Sequence, residues 1–519
     1  MKRLILFFLI TNSVLAQVGI GTTSPNAALD VTATTDGLLI PRVALVNTTT
    51  ATVVTPTISE LVYNTAIAGD VTPGFYYWDG GKWIRFLLSN TTSNSWALLG
   101  NAGTTVGTNF LGTTDNVDMV FKRNNIQAGK LTTTNTSFGV DALSPTTTRN
   151  RNTAIGVESL YLNTGGDDNI AIGYQALRNG ANGARNIAVG NNALMNTSGN
   201  DNTAVGMESL RANTIGNNNV AVGRNSLQSN VDGSNNTAVG MQSLTSNTSG
   251  ANNVAMGRSS LNQNSTGQQN SAFGMQTLSS NTSGNDNVAV GIYALLQNTT
   301  GGDNTAVGTS SLFTNTTGIR NVAIGKNALN QSTGSLNTAL GYGSLSATTG
   351  GSTNTAIGVG SLNDVTTGSN NIGVGYNAQV PSPTNNNQVR IGDTNITYAG
   401  IQVAWTTTSD RRWKENIKPS NLGLDFINNL NPVSYTRKND EAKKVEYGFI
   451  AQELEDTLLK FGVDNNGIIS IDDNNMYGVR YNDLIAPLVL ATQEQQKEII
   501  ELRNLIKELQ LEVNSLKKK

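Results

Sequence analysis

The sequence predicts a mainly β protein: a parallel β-roll or solenoid of 17-residue coils, then a small α+β domain and a C-terminal coiled coil. Three observations carry this expectation. The pentad Asn-x-Ala-apolar-Gly recurs from residue 135 to residue 371, at a spacing of 17 except for two steps of 16. Leu stands eight residues after each pentad start, from Leu143 to Leu362, and only the last of 15 repeats departs, with Gln379. Near the end of the chain, Ile499, Ile506 and Val513 interleave with Leu502, Leu509 and Leu516 at heptad spacing.

Composition narrows the chemistry. Only 13% of the 519 residues are charged and 6% aromatic, while Gly numbers 54, which is lean for an ordinary globular enzyme. There is no Cys and no His. Disulfides, Cys/His metal centres, Cys nucleophiles and a Ser-His-Asp triad are therefore excluded, and no cofactor or metal site is implied. A catalytic base must be Lys, Asp, Glu or a terminal amine. The net charge of −2 gives no reason to expect nucleic acid as a partner.

Residues 1–16 read as a secretory signal peptide. Lys2 and Arg3 supply the positive start, Leu4 to Ile10 a short apolar core, and Val14 and Ala16 the small residues of a cleavage site. The mature chain is expected to begin at Gln17. No apolar run approaches the ~18 residues of a membrane span, so the expectation is a secreted or cell-surface protein without a transmembrane segment.

Residues 17–134 form an N-terminal β-rich region. Val18 to Val31 and Leu38 to Val43 read as short strands. Leu61 to Phe86 reads as an aromatic hairpin, with Phe75 to Trp78 before an Asp79-Gly80-Gly81 turn and Trp83 and Phe86 after it. Such a hairpin is either a platform on which glycans stack, or a small hydrophobic core or contact between chains. These segments resemble the N-terminal parts of secreted tail-fibre-like proteins common in Bacteroidetes.

Residues 135–380 form the solenoid. A period of 17 is too short for a helix pair and fits a short strand, a turn, a second short strand and a longer polar turn. The apolar residues flanking Ala alternate with strand period, and Ala marks a face too tight for anything larger. Gly suits a corner with positive φ. Asn stacked on Asn makes a side-chain amide ladder, and Leu makes an apolar column in the second strand. At ~4.8 Å per coil, the 15 coils reach roughly 70 Å. The Asn-x-Ser/Thr triplets in the polar turns read as turn chemistry. This segment resembles the head repeats of trimeric autotransporter adhesins, whose motif orders Asn, Ala, Ile/Val and Gly in the same way. The resemblance implies a parallel β-roll and a homotrimer, although the 17-residue period is longer than that family's usual coil.

Pro381, Pro383 and Asn385 to Asn387 mark a neck, residues 381–408, in which NQVRIGDTNITYAGIQV adds two or three further strands, and Gly373 and Gln379 make an atypical capping coil before it. Helix formers and charge return in residues 409–490. The coarse reading places a helix or extended segment at 409–417, a helix at 420–430 and strands near 432–437 and 445–451. A helix at 451–460, a strand near 468–472 and a long helix from Asn482 follow. The coiled coil occupies residues 491–519. Its β-branched first seam position mildly favours two strands, against the trimer expected from the repeats; the trimer takes precedence, because short coils follow the symmetry of the domain they are fused to.

The stretch TTTSDRRWKENI, residues 406–417, places Ser409 five residues before Lys414. From spacing alone this is a polar turn as readily as a nucleophile with its base. SDRRWKENI, the Pro-Val of NPVSYTRK, YGFIAQELE and VRYNDLIAPLVLATQEQ resemble the C-terminal intramolecular chaperone domain of endosialidase-type phage tail spikes, found also in myelin regulatory factor-like proteins. The resemblance implies a domain that trimerises, helps the upstream fibre fold and then cuts itself off with a Ser-Lys dyad. By position the nucleophile is Ser409, the base Lys414 and the severed bond Thr408–Ser409. Lysine is a base only when neutral, a form favoured by burial or neighbouring positive charge; Arg411 and Arg412 stand nearby, and Trp413 is placed to exclude water. Asp410 reads as an N-cap, and Gln452 and Glu453 as structural.

The expected function is thus a trimeric surface fibre with a self-cleaving chaperone, or alternatively a glycan-binding adhesin with an uncleaved trimerisation cap. A glycan-degrading fibre is disfavoured by the few acidic residues in the repeats.

Overall fold

The computed structural model describes residues 17–86, 102, 104–105, 110–143, 150–180 and 182–518. The predicted signal peptide lies outside the described residues. The chain divides into two units, Met1–Gly112 and Thr113–Lys519.

In the first unit, β1 (Val18–Ile20) pairs in parallel with β2 (Leu29–Val31). β3 (Arg42–Val43), β4 (Leu61–Asn64), β5 (Gly74–Trp78) and β6 (Trp83–Arg85) form a four-stranded sheet in chain order. The β5–β6 turn closes on Asp79, whose carboxylate accepts the backbone N–H groups of Gly81 at 2.8 Å and Lys82 at 2.7 Å. Those bonds, with the Lys82 charge, hold its carboxyl below the usual range. Tyr76, Trp78 and Trp83 pack with Leu45, Val62 and Val71, and the two indoles meet edge to face at 5.2 Å. The hairpin's inner aromatics are therefore a core, as one of the two sequence readings had it, while Phe75 and Phe86 remain exposed.

The second unit opens with an antiparallel hairpin, β7 (Met119–Arg123) and β8 (Ile126–Leu131), turning at Asn124-Asn125, both with positive φ. β9 (Thr136–Phe138) runs antiparallel to β8 and parallel to β10 (Thr153–Ile155). Parallel pairing then continues through β23 (Ile372–Val374) to β24 (Val389–Ile391). Successive strands are in register, so Ala221 faces Ala238 and Ala238 faces Ala255. Among the described residues no pairing joins β24 back to β7, so the ladder is open-ended.

Each coil holds one three-residue strand, not the two expected. The inward residue is Ala, fully buried, and its two neighbours point outward. The corner Gly that follows is obligatory. Gly240 has φ +131, and a Cβ there would lie 2.6 Å from the carbonyl oxygen of Gly257. The Leu column exists and is buried, but its backbone is left-handed instead of extended: φ lies between 47 and 58 from Leu143 to Leu362. The reason is closure. The residue two before each Leu is also left-handed, as at Gln242 (φ 60) and Leu244 (φ 49), and together they fold the chain back within one short coil. A left-handed non-glycine residue costs about 1–2 kcal/mol. Full burial of a Leu side chain returns about 1.5–3 kcal/mol, which offsets much of the cost of the two left-handed residues in each turn.

The Asn ladder runs as expected and extends the backbone ladder. Asn253 donates its backbone N–H to Oδ1 of Asn236 at 3.0 Å, and its own Oδ1 accepts from the Asn270 backbone at 3.0 Å. Its Nδ2 reaches the Gly267 carbonyl at 2.8 Å. A second column, not anticipated, runs from Asn213 to Asn315, with Asn247 Nδ2 donating to Asn230 Oδ1 at 2.7 Å. The last coil replaces Ala with Gly373, because the Leu362 side chain fills the space a Cβ would need. Gln388 continues the first column by donating its N–H to Asn371 Oδ1. Of the two or three strands expected after Pro381, only β24 forms among the described residues, since the chain beyond it no longer stacks on a coil.

The C-terminal segment surrounds Phe426 and Leu458 with Leu422, Leu454, Ile468 and Leu484. It comprises α1 (Leu424–Asn428), the antiparallel pair β25 (Val433–Thr436) and β26 (Val445–Gly448), and α2 (Ala451–Lys460). A second antiparallel pair follows, β27 (Ile469–Ile471) with β28 (Tyr477–Val479), and then α3 (Ile485–Leu516). β28 escaped the sequence reading. α3 is a single helix of 32 residues, in which only Pro487 and Ala491 are buried. Pro487 sits in its first turn, where a missing N–H costs nothing. The carboxylate of Glu494 on α3 accepts the backbone N–H of Leu424 at 2.6 Å and so caps α1.

Asn253→Ala strands the buried N–H of Asn270. We expect it to cost about 1–3 kcal/mol, while Thr300→Ala on the exposed turn stays within about 0.5 kcal/mol. Urea unfolding followed by circular dichroism distinguishes them.

Candidate functional site

Ser409 and Lys414 are brought together by one short turn. Asp410 caps it: its Oδ1 accepts the backbone N–H of Arg412 at 2.8 Å, and residues Arg411–Trp413 form a single 3-10 turn. The turn ends when the Lys414 N–H reaches the Arg411 carbonyl at 3.1 Å. Lys414 Nζ then lies 2.7 Å from Ser409 Oγ and donates to it. The cap expected of Asp410 is present, and the same carboxylate binds the Arg412 guanidinium at 2.8 Å. Arg412 holds the Asp410 carboxyl below the usual range.

Two sequence expectations do not hold in the single chain. Trp413 is 82% exposed and shields nothing. The Arg412 charge is directed at Asp410 instead of Lys414. Ser409 and Lys414 are both exposed, as is Thr408. The pair therefore has the reach of a nucleophile and base but not a dry environment.

The second motif, YGFIAQELE, builds the scaffold. A Cβ on Gly448 would come within 2.2 Å of the Tyr481 hydroxyl, so the glycine lets that side chain lie against the backbone. That hydroxyl accepts the Phe449 N–H at 3.1 Å, and the two rings stack at 6.2 Å. Ala451 is buried at the start of α2. Glu453 accepts from Asn431 Nδ2 at 2.9 Å, in keeping with a structural role, while Gln452 is exposed. Tyr481 and Glu494 are the positioning residues that sequence reasoning missed. Neither carries a local signal, because each acts on a backbone N–H distant in the chain.

Comparison with known families decides what this segment resembles. Residues 409–463 match the family described as chaperone of endosialidase. The match begins at Ser409 itself and takes in Lys414 and the whole of α2. Residues 19–96 match a second family, the phage tail like trimerisation region. The chain is thus a β-solenoid between a phage-tail-like trimerisation region and an endosialidase-type chaperone domain. No curated protein and no solved structure matches the chain.

Gly448→Ala pushes against the Tyr481 ring and should destabilise the chaperone domain by about 1–3 kcal/mol. In a Tyr481→Phe background the added cost should fall by at least ~0.5 kcal/mol, a coupling that a double-mutant cycle measures.

Proposed function

We propose that this chain is a secreted or cell-surface fibre protein that assembles as a homotrimer and whose C-terminal chaperone domain assists folding and then severs itself at Thr408–Ser409. The observation that carries the reading is the 2.7 Å contact between Lys414 Nζ and Ser409 Oγ, at the first residue of the matched domain. Lys414, when neutral, takes the Ser409 hydroxyl proton. Oγ attacks the Thr408 carbonyl carbon and the proton passes to the Ser409 nitrogen as the C–N bond breaks. The product is an ester between Thr408 and Ser409 Oγ. Water hydrolyses it, leaving a Thr408 carboxylate and a free Ser409 amine and hydroxyl. No external substrate and no cofactor are involved.

Assembly supplies the missing desolvation. Ile499, Leu502, Ile506, Leu509, Val513 and Leu516 form one apolar seam on α3, exposed in the single chain, which fits a coiled coil of copies of this chain. The matched trimerisation region supports the same symmetry. The absence of a long apolar helix among the described residues fits an exported protein without a helical membrane span. The second reading is an uncleaved trimerisation cap, favoured by the exposure of Lys414.

Denaturing gels with intact mass test the cut. The unaltered chain should split between Thr408 and Ser409, whereas Ser409→Ala and Lys414→Ala stay whole; an unaltered chain that stays whole while assembling supports the cap instead. Leu502→Asp with Leu509→Asp should abolish assembly and slow cleavage by at least tenfold. Full-rate cleavage in a monomer would show that assembly is not the trigger.

A further inference from the structure

The coils that begin at Asn337 and Asn354, the two before the last, break a pattern that the other coils keep. Two residues after each corner Gly, the backbone is left-handed and carries a side chain: Glu208, Asn225, Gln242 and Tyr293 are examples, with φ between 58 and 60. At Gly343 (φ 63) and Gly360 (φ 65) the side chain is missing. The backbone does not demand this, because larger residues adopt the same φ elsewhere in the stack. Crowding does not demand it either. A Cβ on Gly343 would meet nothing within 4 Å, and one on Gly360 would come no closer than 3.6 Å to Asn363 Nδ2.

The consequence is a groove of about 310 Å³ with Gly343 and Gly360 on its floor. Tyr342 and Tyr376 flank it, 55% and 69% exposed. They follow corner glycines two coils apart, which at ~4.8 Å per coil sets them ~9.6 Å apart along the stack. Asn363 and Asn377 also line it. Gln379, the residue that breaks the Leu column, sets its Nε2 2.7 Å from the Gly360 carbonyl and 2.8 Å and 2.9 Å from Oδ1 of Asn363 and Asn377. Both amides turn their oxygen ends to Gln379, and their Nδ2 groups donate to no protein acceptor among the described residues. No charged side chain lines the groove.

We propose that this groove binds a neutral, extended oligosaccharide. The apolar C–H face of a sugar ring stacks on an aromatic face, and its hydroxyls accept from fixed amide donors. Two tyrosines at this separation match the advance of a disaccharide unit, so each carries one ring of a chain running along the stack. The absence of charge selects against anionic glycans. The site is separate from self-cleavage and does not depend on it.

Isothermal titration of the full chain with cellohexaose and chitohexaose tests the proposal. At least one should bind saturably. Tyr342→Ala and Tyr376→Ala should each weaken binding by at least tenfold. Gly360→Gln, which restores the side chain found at Gln242 and Gln276, should abolish binding while the circular dichroism spectrum and melting temperature stay unchanged. The proposal is overturned if neither sugar binds at millimolar concentration, or if these variants bind as well as the unaltered chain. It is equally overturned if the variants change the molar mass in light scattering without any sugar binding, which would make the groove a contact between copies.

Discussion

The shaft depends on one buried contact, the hand-over from backbone to asparagine amide at the start of every strand. A three-residue strand makes few ladder bonds, and by itself it would slip. The Asn preceding it adds a side-chain oxygen for the next coil's N–H and a side-chain donor for a glycine carbonyl, as Asn253 does. These bonds form only when coils stack in register. A slip of one residue would bring the flanking Val or Ile inward, where only Ala fits, and turn Ala outward. The amide column thus fixes register, and register permits the Ala face and the strained Leu turn.

The chaperone domain follows a different logic. The proposed Ser409–Lys414 pair lies on a single solvated turn, while the fold is secured by bonds that cross long stretches of sequence, from Tyr481 to Phe449 and from Glu494 to Leu424. Reach and environment are supplied separately. The turn gives Ser409 and Lys414 their separation within one chain, and only a further surface can remove water from them. The proposed cut, if it waits for neighbouring chains, would suit a fibre, because the segment that guides assembly would then not be lost before assembly is done.

Much of the solenoid was legible in the sequence because its period equals its structural unit: Asn, Ala, Gly and Leu each occupy one place per coil. The Leu was misread as a strand residue. Burial and column stacking look the same in sequence whether φ is extended or left-handed, and left-handed Leu is rare enough that propensity argues against it. At the C-terminus, α2 was legible from its run of helix formers, and Asp410 from its place before a turn. The exposure of Trp413 was not legible, because whether an aromatic is covered depends on surfaces remote in sequence. The groove at Gly343 and Gly360 was hidden for the opposite reason: in a repeat so rich in Gly, two more draw no notice until the φ of their counterparts is known.

The open-ended ladder has a mechanical consequence. Hydrogen bonds between coils run along the stack, so tension applied along it loads the coil-to-coil junctions in series. A series of junctions yields at its weakest member, whatever the average strength. The second Asn column is missing at both ends, where Gly180 and Thr197 stand before Asn213 and Ser332, Thr348 and Val365 stand after Asn315, so the junctions there hold fewer side-chain bonds than those between Asn213 and Asn315. Under strain the shaft should therefore part toward one of its ends, leaving the central tract of coils between Asn213 and Asn315 intact.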